Sequence, residues 1–540
     1  MYMKKIKKES LLIFLTLSFF LHNQFKSLFS GGTTWDDQKL IETSQRIIEK
    51  ASLFFKEPSN PFISEFDFNL EFYGYLVGIP VYVLTKNEFV QSLLSEVLFL
   101  YGYTPLNVFD QENIIRFITL NIYIVIAIVV AYKLLLNFYS RYNALLVILF
   151  LIMIPSFSGH ALFNIKDIPF ALQLFITSLY LLKISLFETE QSSTRLFQNF
   201  FSILLISSVL LIRFNGILFV GMFSFYLFII CKKKKSFLIE NLVIYSISII
   251  LFFLGSPSSW QKPVLYLKET IKTQFFLVWP GSTLTNGEFI IASEMDPTYL
   301  LTWFFYKLPI VYHIALIFLF LSTIVFRKTS PLFRYSTYYI ISVNLAFIFF
   351  LPITYDGIRQ YIFLLPFYSI LLVEALLKIK DTKYRNVLVI FIITYSFYTQ
   401  AGLGPFKYTY FNEFSDEDNI SRDCKQIDGC GDWPTDYWGY SGKQLSKQIL
   451  LEQYPSIFTC EPTNVFIPYL DDRIEALDVK QIKKGEDFYL INIRRPMLNF
   501  DTCGFYNNNF NYECEVIEKV TTRLRNTELD LSYLQKCKLG

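Results

Sequence analysis

Two adjacent carboxylates are the clearest candidates for chemistry in this chain. Asp36 and Asp37 follow Gly31-Gly32-Thr33-Thr34-Trp35, just after an apolar N-terminal segment. One carboxylate of such a pair can act as a general base on an acceptor hydroxyl, while the other holds the acceptor or raises the pKa of the first. The alternative is that both acids only cap the helix that follows, since Asp is preferred at a helix N-terminus.

A second polar cluster places four reactive side chains within eight residues. His160, Asn164, Lys166 and Asp167 lie between two apolar segments. A lysine at this position can pair with the phosphate of a lipid-linked donor. The alternative is a lysine at the membrane interface that pairs only with its neighbour Asp167.

Further charges occur at two other breaks between apolar segments. One break contains Tyr355, Asp356 and Arg359, and the other contains Arg213. A charge within or at the edge of a membrane span indicates a functional site by default. Together with Lys166, these two arginines predict a site for an anionic lipid phosphate with a base nearby.

The composition indicates a membrane protein. Its membrane-spanning helices must position the residues described above. Of 540 residues, 53% are hydrophobic and only 18% are charged, against roughly a quarter charged in soluble domains. Repeated apolar runs of about 20 residues are long enough to cross a bilayer as helices. Nothing in the composition indicates nucleic-acid binding. We predict about eleven spans, near residues 10–29, 114–137, 143–158, 168–187, 197–212, 214–231, 238–255, 309–326, 336–352, 359–378 and 384–401.

The distribution of basic residues predicts the orientation of the spans. The segment Met1–Lys8 is rich in lysine, and no Ala-x-Ala site follows the first apolar run, which favours an uncleaved helix with a cytoplasmic N-terminus. Alternation from there places almost every short basic loop inside, including Lys232–Lys235, as the positive-inside rule requires. Counting Phe72–Leu84 as a span would invert this pattern, so we predict that it is re-entrant or interfacial. All the polar clusters described above then lie at the outer face.

Three long segments also fall outside. In the first, residues 30–113, the stretch Gln38–Phe55 fits an interfacial amphipathic helix. The second is residues 256–308. The third is the rest of the chain after Leu403, where hydropathy falls and charge rises. We therefore predict an extracytoplasmic domain at 403–540. The transmembrane module is predicted at 1–402, with its external loop 1 at 30–113.

Cysteine usage agrees with this orientation. Of seven cysteines, Cys231 lies in the membrane part and the other six lie in the outer domain. An even number of cysteines facing an oxidising compartment predicts disulfides. A zinc site is the alternative, although this domain contains no histidine. The six are Cys424, Cys430, Cys460, Cys503, Cys514 and Cys537.

Six short segments of the chain, taken in their order along the sequence, resemble the GT-C superfamily of membrane glycosyltransferases. Within that superfamily they are most similar to the bacterial branch of glycosyltransferase family 39, which is related to protein O-mannosyltransferases. The resemblance covers residues of roughly 30 to 445, and the family usually has Trp-Asp-Glu where this chain has Trp35-Asp36-Asp37. The matching segments are Thr34–Asp37, Gly159–Asn164, Lys166–Phe170, Tyr355–Arg359, Pro405–Glu413 and Asp436–Gly439.

The resemblance implies an all-α polytopic membrane protein of the GT-C type, with a C-terminal extracytoplasmic mixed α/β domain. It also implies an inverting transfer from a polyprenyl-phosphate sugar to a lipid, glycan or protein acceptor, at the periplasmic face of a bacterial inner membrane. No metal or other cofactor is expected. The last two matching segments are expected to pack the outer domain over the cavity, with structural roles.

The resemblance also assigns roles to individual residues. Asp36 would be the base, and Asp37, in place of the usual Glu, would position the acceptor. Lys166 and Arg359 would bind the donor phosphate, with His160 and Asn164 nearby, and the remaining candidates for substrate binding are Asp167, Arg213, Tyr355 and Asp356.

Two other classes of protein remain as alternatives. A lipid or glycolipid transporter would also place charges in the membrane, but transporters often contain internal repeats and broken helices near the bilayer midplane. No repeat is apparent in the chain, and its polar clusters lie at one face. A lipid-binding or assembly scaffold is the third possibility, with the cysteine-containing domain as its working part.

Overall fold

The computed structural model describes residues 2–66, 71, 75–100, 108–187, 192–230, 234–276, 281–326, 329–416, 420, 431–451, 454, 457–459, 465–470, 473–476, 485–493 and 512–539. The helices are α1 (Tyr2–Leu28), α2 (Asp37–Lys56), α3 (Tyr75–Thr85), α4 (Glu88–Leu100), α5 (Val108–Leu135), α6 (Arg141–Ile152), α7 (Pro155–His160), α8 (Asp167–Leu186), α9 (Ser192–Ile212), α10 (Gly216–Ile230), α11 (Lys234–Leu254), α12 (Pro263–Phe275), α13 (Tyr299–Lys307), α14 (Ile310–Phe326), α15 (Pro331–Phe350), α16 (Leu365–Lys378), α17 (Thr382–Gln400), α18 (Gly442–Leu451) and α19 (Ile467–Leu470). The strands are β1 (Ser282–Thr285), β2 (Glu288–Ile291), β3 (Ile457–Thr459), β4 (Ile474–Ala476), β5 (Asp487–Ile493), β6 (Tyr512–Leu524) and β7 (Thr527–Leu539).

A helix coincides with every span predicted from the sequence, and the protein is a multi-pass membrane protein. By length and composition, five helical segments of the described chain can cross a membrane, or six if α13 and α14, which meet at a bend of 113°, form one broken span. The figure of eleven spans therefore stays a prediction. The five segments are Asp110–Leu135, Asp167–Leu186, Arg195–Ile212, Lys234–Leu254 and Arg359–Lys378.

Helix α8 lies at the centre of the helical region. It packs against α5, α9, α10, α16 and the 3₁₀ turn Arg359–Leu364. Most of its residues are apolar or small, and Ala171, Leu174 and Ser178 are fully buried, as expected for a helix without a polar face. Because α8 begins at Asp167, its central position brings that carboxylate among the surrounding helices.

The external segment after α1 begins with the predicted amphipathic helix. In α2, Leu40 and Ile47 are buried whereas Gln38 and Lys39 are exposed. Helix α3 packs on α2 and contains Gly78 and Pro80 within its 11 residues. Residues 72–74, which precede α3, lie outside the described residues, so the prediction of a re-entrant or interfacial segment at Phe72–Leu84 stays a prediction.

The second external segment contains a β-hairpin that we did not predict. Strands β1 and β2 pair antiparallel around Asn286 and Gly287, which have φ of 51° and 84°. Two central residues with positive φ form the tight turn that suits the twist of a hairpin. The Gly287 N–H donates to the Asp432 carbonyl at 3.0 Å, so the hairpin contacts the start of the outer region.

The C-terminal region contains a five-stranded sheet of order β4-β3-β5-β7-β6. Strand β3 is parallel to β4 and β5, whereas β7 is antiparallel to β5 and β6. With α18 and α19, this confirms a mixed α/β C-terminal region, and the domain boundary at 402/403 stays a prediction. The sheet contacts the end of the helical region just after α17, where the Arg523 N–H of β6 donates to the Gly402 carbonyl at 3.2 Å.

One predicted disulfide is present in the described part of the chain. Cys514 on β6 and Cys537 on β7 face each other in the strand register and are bonded. The prediction of a disulfide is confirmed for this pair. The other cysteines, Cys231, Cys424, Cys430, Cys460 and Cys503, lie outside the described residues.

Candidate active site

The two adjacent carboxylates have different environments. Asp36 occupies the N-cap position of α2, but its side chain makes no capping hydrogen bond. Its Oδ2 instead lies 2.7 Å from Lys166 Nζ, at the start of α8. The Asp36 side chain is 26% exposed and that of Lys166 is 6% exposed, so Asp36 is the more accessible member of this ion pair.

Asp37 is buried and turned the other way. Its Oδ2 accepts a hydrogen bond from the Thr34 N–H at 2.6 Å and forms an ion pair with Arg116 of α5. Both charged side chains are 4% exposed. Asp36 therefore does not cap α2, and the hydrogen bond of Asp37 goes to Thr34, which precedes the helix. These contacts favour a structural role for Asp37, and its predicted role in positioning an acceptor stays a prediction.

Arg116 was not among the residues singled out in the sequence. It lies on an apolar span, where an isolated cation indicates a functional or structural partner. That signal was present, but it did not identify Asp37 as the partner, because the two residues belong to different helices.

The loop ahead of Asp36 is held by the segment after Asp436. The Trp35 indole N–H donates to the Tyr437 carbonyl at 2.8 Å, and the Gly32 N–H donates to the Tyr440 carbonyl at 3.0 Å. A Cβ at Gly31 would overlap the Tyr440 ring. A side chain at Gly31 would therefore have to displace the end of the buried Tyr440 ring.

Asn164 organises the turn that leads into α8. Its Oδ1 accepts hydrogen bonds from the N–H groups of Lys166 at 3.2 Å and Asp167 at 2.8 Å. Its Nδ2 donates to Asp167 Oδ2 at 2.8 Å and lies 3.1 Å from His160 Nδ1. This one amide therefore sets the direction of two charged side chains and a histidine.

His160 is fully buried in the turn between two predicted spans. Burial lowers the pKa of His160 to about 3; the nearby positive charges of Arg359 and Lys307 act in the same direction, while Asp167 opposes them. The neutral ring accepts from Asn164 at Nδ1, so its proton is on Nε2, which donates to Tyr437 Oη at 2.9 Å. His160 thus orients Tyr437, and its predicted contact with substrate stays a prediction.

Asp167 lies between the two arginines of the other clusters. It forms an ion pair with Arg213, and its Oδ2 is 3.8 Å from Arg359 Nε. Arg359 Nη1 also lies 3.0 Å from Asp356 Oδ2. These four groups are buried, and mutual pairing limits the energetic cost of removing such charges from water. The structure therefore brings the three predicted clusters together around the start of α8.

Aromatic rings enclose the Arg359 guanidinium. Its central carbon lies 4.5 Å from the Trp438 ring centroid and 5.0 Å from that of Tyr355. Planar guanidinium groups stack well on such rings. With the Tyr437 hydroxyl at His160, the Asp436–Gly439 segment packs directly on the candidate site, and its expected structural role stays a prediction.

The Asp436 carboxylate holds that segment in place. It accepts hydrogen bonds from the N–H groups of Tyr440 at 3.0 Å and Ser441 at 2.9 Å, and also from the Tyr408 hydroxyl. Burial raises the pKa of Asp436, and these hydrogen bonds oppose the shift. Because these hydrogen bonds hold the backbone on both sides of Tyr437 and Trp438, the Asp436 carboxylate positions these two side chains.

Together, the assembled residues can bind an anion and remove a proton. Asp36 is an accessible carboxylate beside the Lys166 ammonium, and both adjoin the buried pairs of Asp167 with Arg213 and Arg359. Across the residues with described positions, no group of three or more His, Cys, Asp or Glu side chains could hold a metal ion.

Comparisons with known proteins found similarity only among solved structures. No protein-family model matches the chain, and no curated protein matches it. The fold is similar to the crystal structure of ArnT from Cupriavidus metallidurans bound to undecaprenyl phosphate, with 12% sequence identity and a TM-score of 0.49 over 97% of each chain. It is similar to the apo state of the same protein with 11% identity and the same TM-score and coverage.

Proposed function

We propose that this protein is a membrane glycosyltransferase of the GT-C type, which moves a sugar from a polyprenyl-phosphate donor to a hydroxyl acceptor. The observation that supports this most directly is the contact of 2.7 Å between Asp36 Oδ2 and Lys166 Nζ. It joins an accessible carboxylate, suited to deprotonate a hydroxyl, to a cation suited to bind a phosphate. The acceptor hydroxyl and the donor phosphate of a glycosyl transfer therefore each have a protein side chain to contact, and the two side chains are adjacent.

In the proposed reaction, Asp36 acts as the general base. The acceptor hydroxyl gives its proton to the Asp36 carboxylate while its oxygen attacks the anomeric carbon of the donor. The bond between that carbon and the phosphate oxygen breaks, and its electron pair leaves with the polyprenyl phosphate. Lys166 stabilises the negative charge that develops on the phosphate. The proposed contribution of Arg359 is smaller because Asp356 and Asp167 neutralise much of its charge.

A single displacement agrees with the different environments of the two acids. A double displacement would need a nucleophilic group in addition to the acid or base, as in retaining sugar hydrolases. Asp37 is oriented toward Arg116 and the Thr34 N–H, which leaves Asp36 as the accessible carboxylate of the pair. Inversion at the anomeric carbon follows from one displacement.

The membrane setting supports a lipid-linked donor. Helices α5 and α8, which supply Arg116 and Asp167, both belong to segments able to cross a bilayer. A polyprenyl chain in that bilayer would deliver its phosphate to the membrane surface. The distribution of basic residues favours the outer face, so we place the reaction in the periplasm of a bacterium, at its inner membrane. The acceptor is a hydroxyl of a lipid, a glycan or a protein.

The test compares Asp36→Asn with the wild type in lipid nanodiscs. The donors are polyprenyl-phosphate sugars, including mannose and aminoarabinose, and the readout is polyprenyl phosphate released in the presence of cell-envelope acceptors. Loss of the base should lower turnover by about 100-fold or more, with donor binding retained. The matched control is Glu42→Gln, an exposed acid on the same helix. Full activity in Asp36→Asn would exclude Asp36 as the base.

The same samples also test the alternative that the protein is a lipid transporter. A flippase would move fluorescent lipid across vesicles and leave the sugar–phosphate bond intact. The proposed enzyme should cleave that bond without accelerating lipid transbilayer movement. Lipid movement without cleavage, for every donor tested, would overturn the proposal.

A further inference from the structure

A partly enclosed cavity of about 640 Å³ lies beside the candidate site, at the C-terminal ends of α1 and α17. Its walls come from α1, from the break between α6 and α7, from α17 and from the loop that ends at Lys407. In the predicted orientation, all four segments lie toward the outer face. None of the site residues described above lines this cavity.

The lining changes from apolar to cationic along α1. Phe20 and Lys26 both line the cavity, and they are six positions apart, or about 9 Å along a helix. Phe397 and Met153 add apolar surface, while Lys407 adds a second cation. The cavity therefore offers an apolar part and a positively charged part, as a molecule with a hydrocarbon chain and an anionic headgroup requires.

The two lysines lack a neutralising partner. The lining contains no carboxylate, and neither Lys26 nor Lys407 makes an ion pair within the described chain. Lys407 is half-buried, and burial lowers its pKa to about 8. An anion bound between the lysines would favour the charged form of both.

A buried polar atom gives independent support for a ligand. Gln24 lines the cavity and is 1% exposed. Its Nε2 donates to the Ser158 carbonyl at 3.0 Å, whereas its Oε1 is buried and has no hydrogen-bond partner. Buried acceptors are nearly always satisfied, so a hydroxyl donor from a bound molecule would complete this site.

We propose that this cavity binds an anionic phospholipid with a hydroxylated headgroup, of the phosphatidylglycerol type. The phosphate pairs with Lys26 and Lys407, a headgroup hydroxyl donates to Gln24 Oε1, and an acyl chain lies along Phe20 and Phe397. This binding is separate from the proposed transfer reaction and does not depend on it.

The bound lipid would also contact the two chain segments that carry His160 and Tyr408 of the candidate site. Ser158 and Lys407 line the cavity, and His160 and Tyr408 lie one or two residues further along the chain. Between them, a Cβ at Gly159 would overlap the Tyr408 backbone nitrogen, so α7 and this turn are in direct contact.

The test is native mass spectrometry of the full-length protein after exchange into neutral detergent. The probes are phosphatidylglycerol, phosphatidylcholine and inorganic phosphate. The wild type should retain phosphatidylglycerol at least tenfold better than phosphatidylcholine, and millimolar phosphate should not displace it. In Lys26→Gln/Lys407→Gln this preference should fall at least fivefold, whereas Lys268→Gln/Lys447→Gln, which changes two exposed lysines elsewhere, should retain it.

A second variant tests the cavity without changing charge. Thr394→Trp adds volume at an exposed position of the lining and should reduce phosphatidylglycerol binding, with unchanged elution and thermal unfolding as evidence of folding. Equal binding by the lysine variant and its control would overturn the proposal. Displacement by inorganic phosphate would also overturn it, since the site would then bind a free anion.

Discussion

Asp36 and Lys166 are 130 residues apart in the chain, yet their charged atoms lie 2.7 Å apart where α2 and α8 begin. The pair joins the external segment to the buried centre of the helical region. Because Lys166 cannot pair fully with Asp36 and with a donor phosphate at the same time, an incoming phosphate competes with Asp36 for the ammonium. Donor binding would thereby release the carboxylate that acts as base.

This competition predicts opposite effects of two substitutions on binding of the donor's phosphate group. Lys166→Gln removes the cation and should weaken binding of undecaprenyl phosphate by about tenfold, or about 1.4 kcal/mol, a typical value for a charge-assisted contact. Asp36→Asn removes the competing anion, so binding should stay equal or become tighter. Titration of the purified protein with undecaprenyl phosphate, followed by native mass spectrometry, measures both effects.

The matched control for this pair is Lys39→Gln, which removes an exposed lysine of α2. It should bind undecaprenyl phosphate as the wild type does. If Lys39→Gln and Lys166→Gln weaken binding equally, the effect is one of general surface charge, and Lys166 has no specific role.

The pair of Asp37 and Arg116 predicts a loss of stability instead. Both side chains are buried, and removing one partner of a buried ion pair leaves an uncompensated charge, at about 3–5 kcal/mol. Arg116→Met should therefore lower the thermal unfolding temperature clearly, and Asp37→Asn/Arg116→Met should recover part of the loss. Unfolding monitored by intrinsic fluorescence in detergent measures this.

A structural role for Asp37 also requires that donor binding survive in the double variant. If Asp37→Asn/Arg116→Met is stable and binds undecaprenyl phosphate but loses turnover, Asp37 acts on the acceptor as the sequence resemblance implies. Unchanged stability in Arg116→Met alone would show that the buried pair is unimportant for folding.

Much of the site could be predicted from the sequence because its charges interrupt apolar segments. Lys166, Arg213 and Arg359 stand out for this reason, and the positive-inside rule assigns them to one face. Which charges pair could not be predicted, since Lys166 forms an ion pair with Asp36, a residue of a distant segment. That choice depends on how α2 and α8 pack.

The parts that sequence reasoning missed depend on contacts between distant segments. Tyr437 and Trp438 belong to the matching segment Asp436–Gly439, but no local pattern predicts their contacts with His160 and Arg359. The β1–β2 hairpin is different, because Asn286-Gly287 is a recognised signal for a tight hairpin turn. It could have been predicted.

His160 predicts how stability changes with pH. Its pKa is about 3 in the folded protein and about 6.5 in an unfolded chain. Between these pH values the unfolded chain binds one proton more than the folded protein. The contribution of neutral His160 to the free energy of unfolding is therefore fully present above about pH 6.5 and is lost as the pH falls toward about 3. The contribution is at most about 1.4 kcal/mol per pH unit.

Thermal unfolding of the wild type and of His160→Gln between pH 4 and pH 7 tests this slope. The wild type should lose stability toward pH 4, and the variant, less stable at pH 7, should show a shallower dependence because it has no ring to protonate. His22→Gln, at an exposed histidine, should keep the wild-type slope. A variant slope equal to that of the wild type would mean that His160 is protonated in the folded protein, and Nδ1 could then not accept a hydrogen bond from Asn164.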